Sequence, residues 1–435
     1  MQNSPPRADN ISRGIGLALA FIFFVLCIVG TKSAPASWND IARVAAMESL
    51  VERGTWAIDD SAWFERTSDK VFLNGKFYSD KMPLLSWLAA GAYAVLFRFG
   101  FLLAPNCTAC AYYPLTLWFV GLPAAVLIWL MVDFARAKKI APVVALLGAS
   151  ALAFATMIFP YSLVFNHHVP AAVSLFAAFY LLVTRAHENI RWLFGVGLLT
   201  ALAVSFDPLA GFFAVALLVM TVARFPRRAF YFFIGALPPL LVTAWLDWQI
   251  AGTIIPPYMI PNGYAYEGSA FPATIGGNGT PDDVTQYAFK MFLGAQGLFF
   301  YNPILFFALA GIGIVAWTRE HALRAEAIVF GITFCVLAFY LATRTGNLGG
   351  EAYGERWFVH AIPLLMAFVF FAPPLAQNYR WLLAPLFVIA LLVSVFSTYQ
   401  GARNPWRYVP PPAHPTRNAE TGALGWKWEI QFPWR

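Results

Sequence analysis

Four short stretches of this chain carry side chains able to do group-transfer chemistry. The first runs Trp38, Asn39, Asp40, Ile41, Ala42, Arg43, and the three-residue spacing of Asp40 and Arg43 puts both on one face of a helix. A second reads Tyr78, Ser79, Asp80, Lys81, Met82, Pro83, Leu84; a third sets Asn166, His167 and His168 side by side. The fourth, Glu351 to Arg356, includes Tyr353 and follows Arg344. Carboxylates take protons from hydroxyls, and an Arg fork matches phosphate oxygens in pairs. Plainer roles exist for the same residues. An Asp in the first turn of a helix is favoured by the free N–H groups there. A Lys at membrane depth snorkels to lipid phosphates, and adjacent His residues do not face one ligand easily from a regular helix.

These stretches must be held by elements that the composition identifies. Of 435 residues, 60% are hydrophobic and only 12% charged, with mean hydropathy +0.63. A soluble domain has about 25% charged residues, so a water-soluble fold does not fit. Apolar runs of bilayer-spanning length recur with charges gathered between them. A spanning β-barrel would alternate instead. The run Ile15 to Thr31 is expected to be a retained first helix, since Ala34, Pro35 and Ala36 make a poor cleavage site. Cys27 and Cys335 lie within apolar runs, while Cys107 and Cys110 form a lone CxxC. Without a second pair this does not predict structural zinc; it suits a local disulfide if the loop faces an oxidising compartment. The net charge of +7 follows from basic loops, and no nucleic-acid fold signature accompanies it.

The short basic loops fix the topology. They are the N-terminus, Arg136 with Lys138 and Lys139, Arg185 with Arg191, Arg224 with Arg227 and Arg228, Arg319 with Arg324, and Arg380; positive loops face the cytoplasm. The expectation is an all-α polytopic membrane protein with about 11 transmembrane helices, N-terminus cytoplasmic and C-terminus extracytoplasmic. The spans fall near 14–31, 112–134, 140–158, 169–184, 192–206, 211–224, 229–247, 303–317, 327–343, 358–374 and 381–398. The apolar run Pro83 to Leu103 must lie at the outer surface, because a crossing there would invert every later basic loop. One transmembrane domain, 1–398, thus carries a first outer loop (32–111) with interfacial helices, a second large outer loop (248–302) and a short outer tail (399–435). Tyr258, Tyr264, Tyr266 and Glu267 in the second loop suit either a sugar groove or an aromatic membrane belt. Almost nothing ionisable is left for the midplane, where transporters keep their sites, and a transporter or flippase of lipid-linked or envelope polysaccharide is the weaker alternative.

The order of these motifs resembles the GT-C membrane glycosyltransferases, most of all the bacterial branch related to protein O-mannosyltransferases and the lipid A aminoarabinose transferase. The resemblance is carried by Asp40 after the first helix, Gly54 and Trp56, and the segment Tyr78 to Leu84, in which Met82 replaces the first proline of an acidic-Lys-Pro-Pro-Leu pattern. Gly294 to Phe299 before Pro303, and Tyr353 to Arg356 ahead of Pro363, extend it. It implies transfer of a sugar from a polyprenyl-phosphate donor to a glycan, lipid or protein acceptor at the outer face of the cytoplasmic (inner) membrane. On this reading Asp40, with Asp80, is the catalytic carboxylate. Lys81 and Arg356, with Arg344, Arg43 and Tyr353, hold the donor phosphate, and configuration inverts, by analogy with glycosidases. His167, His168 and Glu351 are candidates for acceptor or metal binding; a divalent metal ion held by Asp40 or Asp80 with one His is the cofactor option.

Overall fold

The computed structural model describes residues 6–189, 191–294, 296–350, 352–372 and 376–406. Glu351 and most of the tail, 407–435, lie outside the described residues.

Helices occupy the expected spans where the apolar runs are unbroken: Pro6–Gly30, His168–Thr184, Arg191–Phe206, Gly211–Arg224, Phe230–Ala251, Leu305–Trp317, Arg324–Arg344 and Ala376–Arg403, with a 26-residue helix over Tyr112–Ala137. Four of them, Tyr112–Ala137, Phe230–Ala251, Arg324–Arg344 and Trp381–Arg403, are long and apolar enough to cross a membrane by themselves. Their outer surfaces expose large apolar side chains such as Leu241, Phe339 and Leu392, which suits contact with lipid. Small residues bring helices together. A Cβ at Gly197 would lie 1.9 Å from the Phe232 carbonyl, and one at Gly235 2.0 Å from that of Phe194, so Arg191–Phe206 and Phe230–Ala251 touch backbone to backbone.

Two expected spans differ. Residues 140–158 form the helix Pro142–Phe154 and then a separate turn, Ile158–Tyr161. Residues 358–374 do not make one helix: a 3-10 turn Arg356–Ala361, a short helix Ile362–Met366 and a second 3-10 turn Val369–Phe371 follow one another. Pro363 supplies no N–H to a continuing ladder. Every residue from Phe358 to Phe370 is buried in protein, so other helices, not lipid, accommodate the irregular backbone. Gly311 makes room, since a Cβ there would sit 1.9 Å from the Phe368 carbonyl.

The all-α expectation also needs amending by one hairpin. Lys70–Leu73 pairs antiparallel with Lys76–Ser79, in register Lys70↔Ser79 and Leu73↔Lys76. Asn74 (φ 52°) and Gly75 (φ 82°) form its two-residue turn, both in the left-handed region that such hairpins need. The loop 248–302 folds onto it: the Phe72 N–H donates to the Gly263 carbonyl at 2.8 Å. Pro83–Arg98 is a helix with one face buried by Leu84, Leu85, Ala89, Ala90 and Tyr93. It packs on Trp38–Arg53 and Phe230–Ala251 and leaves Trp87 and Leu88 exposed. Cys107 and Cys110 are joined as a disulfide.

Candidate functional site

Asp40 sits in the first turn of Trp38–Arg53 and is fully buried. Its Oδ1 accepts the Ser37 N–H (2.8 Å), and its Oδ2 accepts the Ala36 N–H (3.2 Å) and the Tyr112 hydroxyl (2.9 Å). Ser37 reciprocates through its hydroxyl, completing a capping box. Burial lifts the carboxyl to about 6 against the pull of these hydrogen bonds. The observed work of Asp40 is structural, and it reaches further than one helix. Tyr112 also accepts the Phe165 N–H at 3.0 Å, which ties Asp40 to the turn that presents His167. Asn166 caps the helix beyond it by accepting the Val169 N–H at 3.1 Å.

Lys81 is held between two carboxylates, 2.6 Å from Asp69 and 2.9 Å from Asp80. Tyr264 of the second outer loop donates to the other Asp80 oxygen at 3.0 Å. Asp80 is buried, and burial raises its pKa while Lys81 lowers it. These contacts tie loops 32–111 and 248–302 together around the hairpin, and Lys81 has its charge compensated within the protein. Tyr266 meets the Lys70 carbonyl at 3.3 Å and is likewise used for docking.

The cations that remain are arginines. Arg43, one turn after Asp40, is fully buried; its Nη1 donates to the Asn39 carbonyl (2.9 Å) and Oδ1 (3.0 Å), and its Nη2 lies 2.6 Å from Nδ1 of His167. Burial lowers its pKa to about 10; Asp80, Asp69 and Asp207 act against that, and Arg356 adds to it. Arg43 therefore feels the charge of Arg356, a residue more than 300 positions away in sequence. Neither Nε has a hydrogen-bond partner among the described residues. Arg356 stacks its guanidinium 5.5 Å from the Trp406 ring.

Asp207 lies in the short turn between Arg191–Phe206 and Gly211–Arg224 and is 2% exposed. One oxygen caps that turn through the Leu209 N–H. The other is surrounded by imidazoles: His168 Nδ1 at 2.8 Å, His360 Nδ1 at 3.5 Å and His167 Nε2 at 3.9 Å. Burial opposes its ionisation, yet the imidazoles hold it well below the usual carboxylate range. His167 is kept far below the ordinary imidazole value by burial first, then by His168 and Arg43, so it is neutral.

Of the residues expected from sequence, Arg43, His167, His168 and Arg356 come together, with Asp80 and Lys81 in an adjoining knot. Arg344 ends its helix exposed and joins no contact of the cluster among the described residues. The Tyr353 hydroxyl meets Ser397 at 2.8 Å, and its carbonyl accepts from Tyr161 at 2.9 Å, so Tyr353 fastens the last helix instead of facing the site. Sequence reasoning passed over Asp207, His360 and Asp69. Asp207 breaks two apolar runs immediately before Pro208, a visible signal; His360 is hidden at the outer end of an apolar run. Glu355, within the segment Tyr353 to Arg356, is fully buried with neither oxygen hydrogen-bonded among the described residues, and burial lifts it to about 8.

Atoms of His167, His168 and Asp207 lie within 4.8 Å of one another, the spacing of a candidate metal centre. The donor set does not fit a cation in this form. A guanidinium only donates, so Nδ1 of His167 must offer its lone pair to Arg43, and the Nε2 facing Asp207 carries the proton. Arg43 and Arg356 also lower the pKa of His167, a field that repels a dication as it repels a proton.

No family model matches the chain, and no curated protein does. A comparison with solved structures gives a likeness to ArnT from Cupriavidus metallidurans, in its crystal structure bound to undecaprenyl phosphate, at 13% identity over 89% of this chain and 75% of that one, with a TM-score of 0.49.

Proposed function

We propose that this chain is a membrane glycosyltransferase that moves a sugar from a polyprenyl-phosphate-linked donor to a lipid, glycan or protein acceptor at the outer face of the cytoplasmic membrane. Its frame on this reading is the eleven-crossing topology with the cytoplasmic side set by the basic loops. The observation that carries the proposal is the pair Arg43 and Arg356. Two guanidiniums whose charges reach one another, each with an Nε that nothing accepts from among the described residues, leave buried donors to satisfy, and a phosphate accepts from guanidinium donors in pairs. Such a site in an apolar bundle suits a lipid-borne phosphate better than a soluble one, since the tail partitions into the membrane. The clamp expected of Lys81 passes largely to Arg43, because Asp69 and Asp80 already neutralise the lysine.

The test is binding and turnover with purified protein in nanodiscs. Arg43→Ala and Arg356→Ala are expected to weaken binding of short-chain polyprenyl phosphate by at least about tenfold each, the loss of one charge-assisted pair. Unchanged binding in both overturns the clamp. Retained lipid binding with no transfer from any of a panel of polyprenyl-phosphate sugars overturns the transferase.

A further inference from the structure

Transfer to a hydroxyl needs a group to take its proton, and besides Asp207 and the Asp69, Asp80 and Lys81 knot the cluster contains five residues of suitable type. Asp40 has both oxygens committed to Ser37, Ala36 and Tyr112. His167 spends Nδ1 on Arg43. Glu355 has free oxygens, but burial keeps it protonated up to about pH 8. His360 has no hydrogen bond at either nitrogen among the described residues and sits 3.5 Å from Asp207, too far to fix its tautomer. His168 differs from all of these. Its Nδ1 lies 2.8 Å from the Asp207 carboxylate, which can only accept, so Nδ1 carries the proton and Nε2 carries the lone pair. That Nε2 is buried without a partner among the described residues. An unpaired imidazole lone pair in a buried polar cluster is costly, and a hydroxyl donor relieves it.

We infer that His168, oriented by Asp207, is the proton acceptor of the transfer reaction, with Asp207 a positioning residue and Asp40 a scaffold for the turn that carries both histidines; this rests on the glycosyltransferase reading above. The acceptor O–H gives its proton to Nε2 as the oxygen electron pair bonds to the anomeric carbon. The bond from that carbon to the lipid phosphate oxygen breaks, its electron pair staying on the phosphate. Arg43 and Arg356 take up that charge, and the imidazolium rests against ionised Asp207. This is the logic of carboxylate, imidazole and hydroxyl that recurs in hydrolases, here with the carboxylate and the imidazole supplied from two separate connections of the bundle and the hydroxyl by the acceptor.

The groups facing His168 from the elements packed on it are Tyr161, His167, Asp207, His360 and Arg356. With full-length protein in nanodiscs, His168→Gln and Asp207→Asn are expected to lower kcat by about 10²–10⁴, while polyprenyl-phosphate binding stays near the unaltered level. In Asp207→Asn the acid limb of the kcat/KM profile moves to lower pH, because the imidazolium loses its carboxylate; Asp207→Glu restores part of the rate. A merely structural role would move neither limb nor rescue. Deuterium exchange at the ring C2–H of His168, followed by mass spectrometry, reads the same titration without turnover, and its midpoint is expected to fall in Asp207→Asn. Unaltered kcat in His168→Gln, or an unmoved exchange midpoint in Asp207→Asn, overturns the inference. Should the unaltered protein transfer no sugar, the transferase reading fails, and the exchange midpoint still decides whether Asp207 governs His168.

Discussion

Arg43 and His167, 124 residues apart, meet at 2.6 Å between Nη2 and Nδ1. The contact joins the helix Trp38–Arg53 to the turn ahead of His168–Thr184 and fixes the tautomer of His167. A lysine at position 43 keeps the charge but loses the fork that also grips Asn39. Arg43→Lys is therefore expected to destabilise the protein by about 2–3 kcal/mol, the range for buried hydrogen bonds to charged groups. It should weaken lipid-phosphate binding as well. Thermal unfolding and lipid titration check both. Unaltered stability would mean that the contacts of Arg43 with His167 and Asn39 contribute little to the fold.

Asp40→Asn separates scaffold from base. Asparagine keeps one acceptor oxygen, so the capping box weakens by about 1 kcal/mol and Tyr112 loses a charged partner. The expected result is a lower melting temperature and reduced kcat with the acid limb of the pH profile in place. If transfer vanishes while stability is untouched, Asp40 is the base after all.

What sequence reveals here follows from what each feature depends on. Long apolar runs between basic loops report spans directly, because lipid demands continuous apolar length. The run 358–374 looks the same, yet residues 358–370 of it are buried in protein; apolarity does not distinguish a lipid-facing segment from one surrounded by helices. The Asn74-Gly75 turn was legible and was missed under the weight of the helical pattern. In the site, Arg43 and Arg356 stand out as charges in outer loops. Asp207, by contrast, acquires its meaning only when helix packing brings residues 167, 168 and 360 around one carboxylate oxygen. Lys81 illustrates the reverse case, an expected ligand-binding cation that Asp69 and Asp80 have already claimed.

Glu355 makes a pH prediction with a definite sign. The folded protein keeps its proton to about pH 8, whereas the unfolded chain releases it near 4.5. Between those values the folded state binds more protons, so stability falls as pH rises, with a slope contribution of up to about 1.4 kcal/mol per pH unit. Glu355→Gln removes that contribution. Melting temperatures from pH 5 to 9 should decline less steeply in the variant. Equal slopes would show Glu355 ionised in the folded state and paired with Arg356.

The Cys107–Cys110 bond tests which side of the membrane the cluster faces. Disulfides persist in oxidising compartments and are rare in the cytosol. The bonded turn belongs to the first outer loop: the Trp63 indole donates to the Leu103 carbonyl at 2.8 Å, and the Leu103 N–H to the Tyr93 hydroxyl at 3.0 Å. The compartment that oxidises the pair is thus the one that Asp69, Asp80 and Lys81 face. In intact cells a membrane-impermeant maleimide should leave both cysteines unlabelled until an impermeant reductant is added outside, then label both. Cys27 is buried and Cys335 lies on an exposed apolar helix face, so neither should compete for a water-borne reagent. Because the two cysteines are three residues apart, closing so short a loop restrains the unfolded chain little, and reduction should shift the melting temperature by only a few degrees. Labelling of intact cells without reduction would show free thiols on the outer side, whereas labelling only after lysis would put the loop in the cytoplasm. The basic loops would then lie outside, and a donor-binding face on the extracytoplasmic side would have to be abandoned.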